Sequence, residues 1–259
     1  MANASQSLVI NKASIASQIA GGYSSLWRAT GTPGQGAIPT AAAVPVMTDV
    51  GAFRFDNPVS GNTYLARLFM LSGNTATDVQ IHDRLVHMGG LSGTVITAQT
   101  VNADASVTTS NLVLRRGDTN YSDVQWWIEW YTATGATGVN ATCAVTYDDA
   151  STGNIVVALA ASIGASRMLA IQPAVAGRYI KSIQSVTLSA TTGTAGNFGI
   201  TATRALGGLS LGLANAGTVG DWAYLGLPRI HDYAALFMVM VPGTTSTGVL
   251  YGSGKLIQG

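Results

Sequence analysis

The sequence predicts an all-β protein with two tandem β-sandwich (jelly-roll-like) domains behind an extended N-terminal arm that carries at most one short helix. Three observations predict it. The 259 residues include a single glutamate, Glu129, and only three lysines, Lys12, Lys181 and Lys255, whereas surface helices draw heavily on both. Short apolar or alternating runs are separated by clusters of Gly, Asn, Asp and Thr, the pattern of a sandwich or barrel. One stretch of about this character occurs twice.

The arm comes first, at residues 1–61. Ile15 and Ile19 stand four apart behind Asn11, and Gly21-Gly22 supplies a stop, so the one short helix is expected over 11–20. The following SLWRATGTPGQGAIPTAAAVPV has no period. It reads as an extended segment that drapes over its own domain or reaches a neighbour, anchored by Trp27 and Arg28. Strands are expected over 64–71, 93–101, 112–115, 125–132, 141–147, 180–188, 234–241 and 248–251. The apolar run 155–163 spans half a bilayer at most and reads as core.

The repeat sets the domain boundaries. HMGGLSG at 87–93 matches GGLSLG at 207–212, and WYTATGATGV at 130–139 matches MVPGTTSTGV at 240–249. Repeats of this length indicate duplicated domains. The expected limits are 62–148 and 177–259, joined by a connecting segment at 149–176. In both copies the Gly-Gly-Leu-Ser is expected in a turn between strands, where paired glycines relax backbone limits.

Composition excludes several function classes. Charged residues are 10% of the chain and the net charge is +1, so no basic footprint for nucleic acid exists. An ordinary soluble surface carries about 25–35% charged residues. A surface this poor in charge is expected to be covered by other subunits, including further copies of the chain. Cys143 is the only cysteine, which excludes an intrachain disulfide and a cysteine metal cluster. The N-terminus lacks a signal-peptide pattern, and no membrane helix is expected.

Each motif with chemical meaning fails on its context. Gly208-Leu209-Ser210-Leu211-Gly212 spells the G-x-S-x-G of a hydrolase nucleophile, with Asp221 and His231 following in triad order. That elbow needs a long helix after it, and LGLANAGTVGDW offers none. His82-Asp83 and His231-Asp232 place alternate residues on opposite strand faces, which makes no metal pair. GSGK at 252–255 has Leu256 where a phosphate loop needs Ser or Thr. Arg116-Gly117-Asp118 reads as a turn. The aromatic strand 125–132 puts Trp126, Ile128 and Trp130 on one face and Trp127, Glu129 and Tyr131 on the other, and both faces are expected to be covered.

The segments SLWRATGTPGQGAIPTAAAVPVMTDVGAFRFDNP and TYLARLFMLSGNTATDVQIHDRLVHMGGLSGTVITAQTVN resemble structural proteins encoded among the head genes of tailed bacteriophages. The resemblance implies a non-enzymatic virion component of the decoration (cement) type. Such a protein sits on the capsid exterior, binds the major capsid protein, forms homo-oligomers and is assembled in the bacterial host cytoplasm. No cofactor, metal, small-molecule substrate, nucleic acid or membrane enters that expectation. The residues expected to face partners are Trp27, Arg28, Phe53, Phe55, Trp127 and Tyr131. A tail-fibre or baseplate module that binds host glycans through Trp127 and Tyr131 is the alternative.

Overall fold

The computed structural model describes residues 5–117 and 119–259 and is almost entirely β. In chain order, the first half contains β1 (Ser5–Lys12), β2 (Ser24–Ser25), β3 (Gly31–Thr32), β4 (Thr63–Ser72), β5 (Thr77–Leu91), β6 (Gln99–Asp104), the helical turn α1 (Leu112–Arg115), β7 (Gln125–Thr132) and β8 (Val139–Tyr147). The second half contains β9 (Thr152–Leu159), β10 (Met168–Ile171), β11 (Ile180–Leu188), β12 (Asn197–Leu211), β13 (Thr218–Asp221), the turn α2 (Trp222–Leu225), β14 (Arg229–Ile230), β15 (Leu236–Val241) and β16 (Leu250–Gln258).

Three sheets result, with orders β13-β4-β16-β1-β3, β6-β11-β8-β9 and β10-β7-β12-β5-β15-β2; β14 also pairs with β4. The duplication seen in the sequence is present in these orders. Exchanging β1 with β9, β2 with β10, β4 with β11, β5 with β12, β6 with β13, β7 with β15 and β8 with β16 converts the first order, without β3, into the second. The same exchange reverses the third. The arm strand β1 and the connecting-segment strand β9 are therefore members of the repeat, not additions to it.

The two copies are interleaved. Apart from the two-residue contact of β3 with β1, every neighbouring strand pair joins the first half of the chain to the second. The chain accordingly forms two discontinuous compact units, residues 1–37, 46–83 and 205–259 in one, and 38–45 and 84–204 in the other. The expected limits 62–148 and 177–259 are continuous segments, whereas each of these compact units is assembled from separated ones. A repeat shows which segments are alike, but strand partners are chosen by burial, and here each copy finds them in the other.

Each unit has its own core. In the first, Leu8 and Ile10 of β1, Leu65, Leu68 and Met70 of β4, Met238 and Met240 of β15 and Leu256 of β16 are buried together. In the second, Val139, Ala141, Cys143, Val145 and Tyr147 alternate inward along β8 and meet Trp126, Ile128, Trp130, Val186 and Phe198. Fully burying an aliphatic or aromatic side chain contributes roughly 1.5–3 kcal/mol, so these alternating strands account for the fold. Burial also drives the Cys143 thiol up to about 12, leaving it protonated and inert.

Several sequence expectations change. No helix forms over 11–20: residues 5–12 are β1, whose inward Leu8, Ile10 and Lys12 follow a period of two. The arm drapes over its own unit, with Leu26, Trp27, Ala29, Phe53 and Phe55 buried. Residues 5–40 are thus part of the fold rather than a removable extension. The expected strand at 112–115 is α1, and the expected strand at 93–101 begins only at Gln99. The paired glycines lie inside β5 and β12 rather than in turns.

Candidate functional site

Four of the six residues expected to face partners are enclosed by the chain itself. Trp27 is 2% exposed, Phe53 3%, Phe55 3% and Trp127 4%. Trp27 donates from Nε1 to the Ala37 carbonyl at 2.8 Å and meets Phe237 edge-on, with ring centroids 6.0 Å apart. A Cβ at Gly36 or Gly51 would overlap its indole, so these two glycines form the slot that the ring fills. Trp127 donates to Thr203 Oγ1 at 2.9 Å. Arg28, half-buried, donates to the Gly36 carbonyl. Tyr131 is half-buried and faces inward through its hydroxyl. The glycan platform of Trp127 and Tyr131 does not exist as a surface.

What that strand face builds is a buried charge network within the second unit. Glu129 is fully buried and accepts two hydrogen bonds from the equally buried Arg84, Nη1 to Oε2 at 2.7 Å and Nη2 to Oε1 at 3.1 Å. Arg84 Nη1 also reaches Thr201 Oγ1 at 3.1 Å, and Thr201 donates to the Val86 carbonyl at 2.9 Å. Tyr131 donates to Glu129 Oε2 at 3.4 Å, and its oxygen lies 2.8 Å from His87 Nε2. Burial first, and the Glu129 carboxylate second, hold the Tyr131 hydroxyl well above its ordinary pKa, so it stays protonated as a donor. Residues 38–45 close this region: Ala43 pairs with His87, Gly89 donates to the Pro39 carbonyl, and Ile38 occupies space that a Cβ at Gly89 would need. With both charges sealed from solvent, the network orients strands and cannot meet a substrate.

The hydrolase constellation dissolves into three local roles. Ser210 sits within β12 and donates to Asp78 Oδ1 at 2.5 Å. Asp221 caps α2, accepting from the Ala223 and Tyr224 amides at 3.1 Å each. His231 precedes a turn. His82 Nε2 contacts Gln80 Oε1 at 2.8 Å. Among the described residues no group of three or more His, Cys, Asp or Glu could hold a metal. No helix among them is long and apolar enough to cross a membrane. Asp118 of the Arg-Gly-Asp tripeptide lies outside the described residues, and Arg116 stacks on Tyr121 at 4.4 Å.

A second buried cation closes the first unit. Lys12 Nζ donates to the carbonyls of Ala29, Pro33 and Gly34 at 3.1, 2.6 and 3.4 Å, pinning the arm to β1. Burial lowers its pKa from 10.5 to about 8. Below pH 8 both folded and unfolded chains carry this proton, and the desolvation cost of the ammonium is fully present. Between about 8 and 10.5 the folded chain releases the proton and the unfolded chain keeps it, so the contribution of Lys12 to stability rises with pH in that window. Cys143, whose thiol is held up at about 12 in the folded chain, acts in the opposite sense above about pH 9, so the readout is the difference in thermal midpoint between the native chain and Lys12→Met, which is expected to move in favour of the native chain as the pH rises from about 8 to 10.5.

The large apolar side chains that do reach solvent are others. Val9 is 61% exposed, Val156 60%, Trp222 64% and Tyr224 66%. Trp222 and Tyr224 project from α2, whose signals were legible in GDWAYLG: Asp221 as the N-cap and Gly226 in the left-handed conformation at the end.

No protein-family model matches the chain, and no curated protein matches it. Among solved structures it is similar to infectious bursal disease virus VP2 in a subviral particle, at 11% identity over 99% of this chain and 80% of that one, with a TM-score of 0.20. It is also similar to chains of T=1 particles derived from the same virus, at 11% identity over 99% and 78%, TM-score 0.19. The Gt strain of that virus gives 12% identity over 99% and 81%, TM-score 0.19. Scores this low fall below shared-fold similarity and add nothing to the functional assignment.

Proposed function

We propose that the chain is a non-enzymatic structural protein of a virus particle, of the decoration or cement type on a tailed-phage head. It binds the major capsid protein and further copies of itself on the capsid exterior. The observation that carries this reading is a chain with only 10% charged residues, several of them buried, that leaves Val9, Val156, Trp222 and Tyr224 exposed. Such surfaces are stable in solution when companions bury them. The resemblance of the first half to phage head proteins points the same way, and the sealed Arg84–Glu129 pair and the separated Ser210, Asp221 and His231 favour a role without catalysis.

The test is mass spectrometry of purified particles of the virus that encodes the chain, after nuclease treatment and a high-salt wash. The chain is expected to sediment with the particles in a fixed ratio to the major capsid protein. Particles free of the chain would reject the role.

A further inference from the structure

The exchange that relates the two halves makes β1, at one side of the first sheet, the counterpart of β9, at one end of the second, and both strands have an open edge. In the first sheet β1 pairs with β16 along its whole length, while β3 covers only Asn11 and Lys12 on its other side. Residues 5–10 therefore present an unpaired edge. In the second sheet β9 pairs with β8 and is the last strand. Natural proteins protect such edges with charge, proline, bulges or a covering segment. Residues 5–10, SQSLVI, and β9, TGNIVVAL, contain no charged residue and no proline. Neither ladder, β1 with β16 or β8 with β9, shows a register shift. Beside β1, a cleft of about 350 Å³ separates Ser7 and Val9 from Met47, Val50 and Phe53 of the same chain, so the neighbouring segment is not packed closely along the strand.

We infer that the β1 edge of one copy pairs with the β9 edge of a second copy, extending one sheet through both molecules. This deepens the assembly role proposed above and rests on it. The two edges match in register. With Val9 opposite Val156 in the antiparallel sense that every ladder of these two sheets uses, buried Ile10 faces buried Ile155 and buried Leu8 faces half-buried Val157. Ser7 and Ala158 share the outer face with the two valines. A one-residue slip would turn each core side chain outward, so the pattern specifies the pairing. Pairing β1 with β9 uses both of these counterpart edges in every copy, whereas pairing either one with itself leaves the other bare. The contact is head-to-tail, so it forms rings or chains rather than an isolated dimer. Main-chain hydrogen bonds supply affinity and the valine pair supplies specificity.

Sedimentation velocity over a concentration series tests this with the full chain. The native protein is expected to associate. Val9→Lys and Val156→Lys, each placing a charge on an exposed edge position, are each expected to weaken self-association at least about tenfold while keeping the native circular dichroism and thermal midpoint. Mixing the two variants restores a single contact, between the intact β9 of one and the intact β1 of the other, and is expected to give dimers only. Leu213→Lys, an equally exposed apolar site off both edges, should associate as the native chain does. A monomeric native chain, undiminished association in either edge variant, or a mixture that stays monomeric would overturn the pairing. A monomeric chain that still sediments with particles would overturn the pairing and leave the particle role standing; association by a chain missing from particles would do the reverse.

Discussion

Glu129→Ala is expected to lower the stability of the second unit by about 3–5 kcal/mol, measured by urea unfolding followed through tryptophan fluorescence. The size follows from what remains. Arg84 is fully buried and would lose both carboxylate oxygens, keeping Thr201 Oγ1 as its short contact in the network. An ion deprived of its partner in a sealed interior retains its desolvation cost and loses the attraction that offset it. Tyr131 would lose its acceptor as well, and with it the contact that ties the hydrogen-bonded His87 to the network. The reporters are well placed, since Trp126, Trp127 and Trp130 lie on the same strand, β7. Replacing both ions together, as Arg84→Met with Glu129→Leu, removes the stranded charge and is expected to recover most of the loss. A single-site effect below about 1 kcal/mol, the range of an exposed pair, would show that the network is open to solvent.

The aromatic strand shows what local sequence conveys and what it omits. Its limits at 125–132 and those of 180–188 agree with β7 and β11, and the expectation that both faces of β7 are covered agrees with the burial of residues 126–130. These strands carry their own signal, large apolar residues on a short run between turn residues. β5 carried no such signal. Its TDVQIHDRLVHMGGL holds two histidines, two aspartates and an arginine, yet nearly all of it is buried. Those polar groups are satisfied by distant partners: Arg84 by Glu129, 45 residues away, and Asp83 by the Ala235 amide, 152 residues away. Hydrophobic periodicity cannot register a strand whose buried groups are polar and whose acceptors lie elsewhere in the chain.

The same reason explains the interface residues. Trp27, Phe53 and Phe55 were conspicuous because large aromatics on an irregular arm need a pocket. The pocket lies within the chain, made by Gly36, Gly51 and Phe237 for Trp27 and by the first core for the phenylalanines. Sequence identified the need for burial and could not say which molecule supplies it. Trp222 lies on α2, a single turn whose capping residues are visible in the sequence but which is too short to show a helical stripe that would mark an exposed face.

The duplication was legible as two like segments, but its consequence was not. Strand order shows that, β3 apart, no strand of the first half pairs with another strand of that half, and none of the second pairs within the second. The chain is equivalent to an intertwined dimer of two half-chains joined at the turn between β8 and β9. Each half alone has alternating strands with nothing to complete their ladders, and an unpaired buried amide or carbonyl is costly.

Separate expression of residues 1–149 and 150–259, followed by mixing, therefore tests the central claim most directly, with circular dichroism and amide hydrogen exchange as the readouts. Each fragment alone is expected to lack a cooperative unfolding transition and exchange protection. The equimolar mixture is expected to recover both, with protection in β4, β8, β11 and β16. A cooperatively folded, protected fragment in isolation would contradict the interleaved architecture and restore two independent tandem domains.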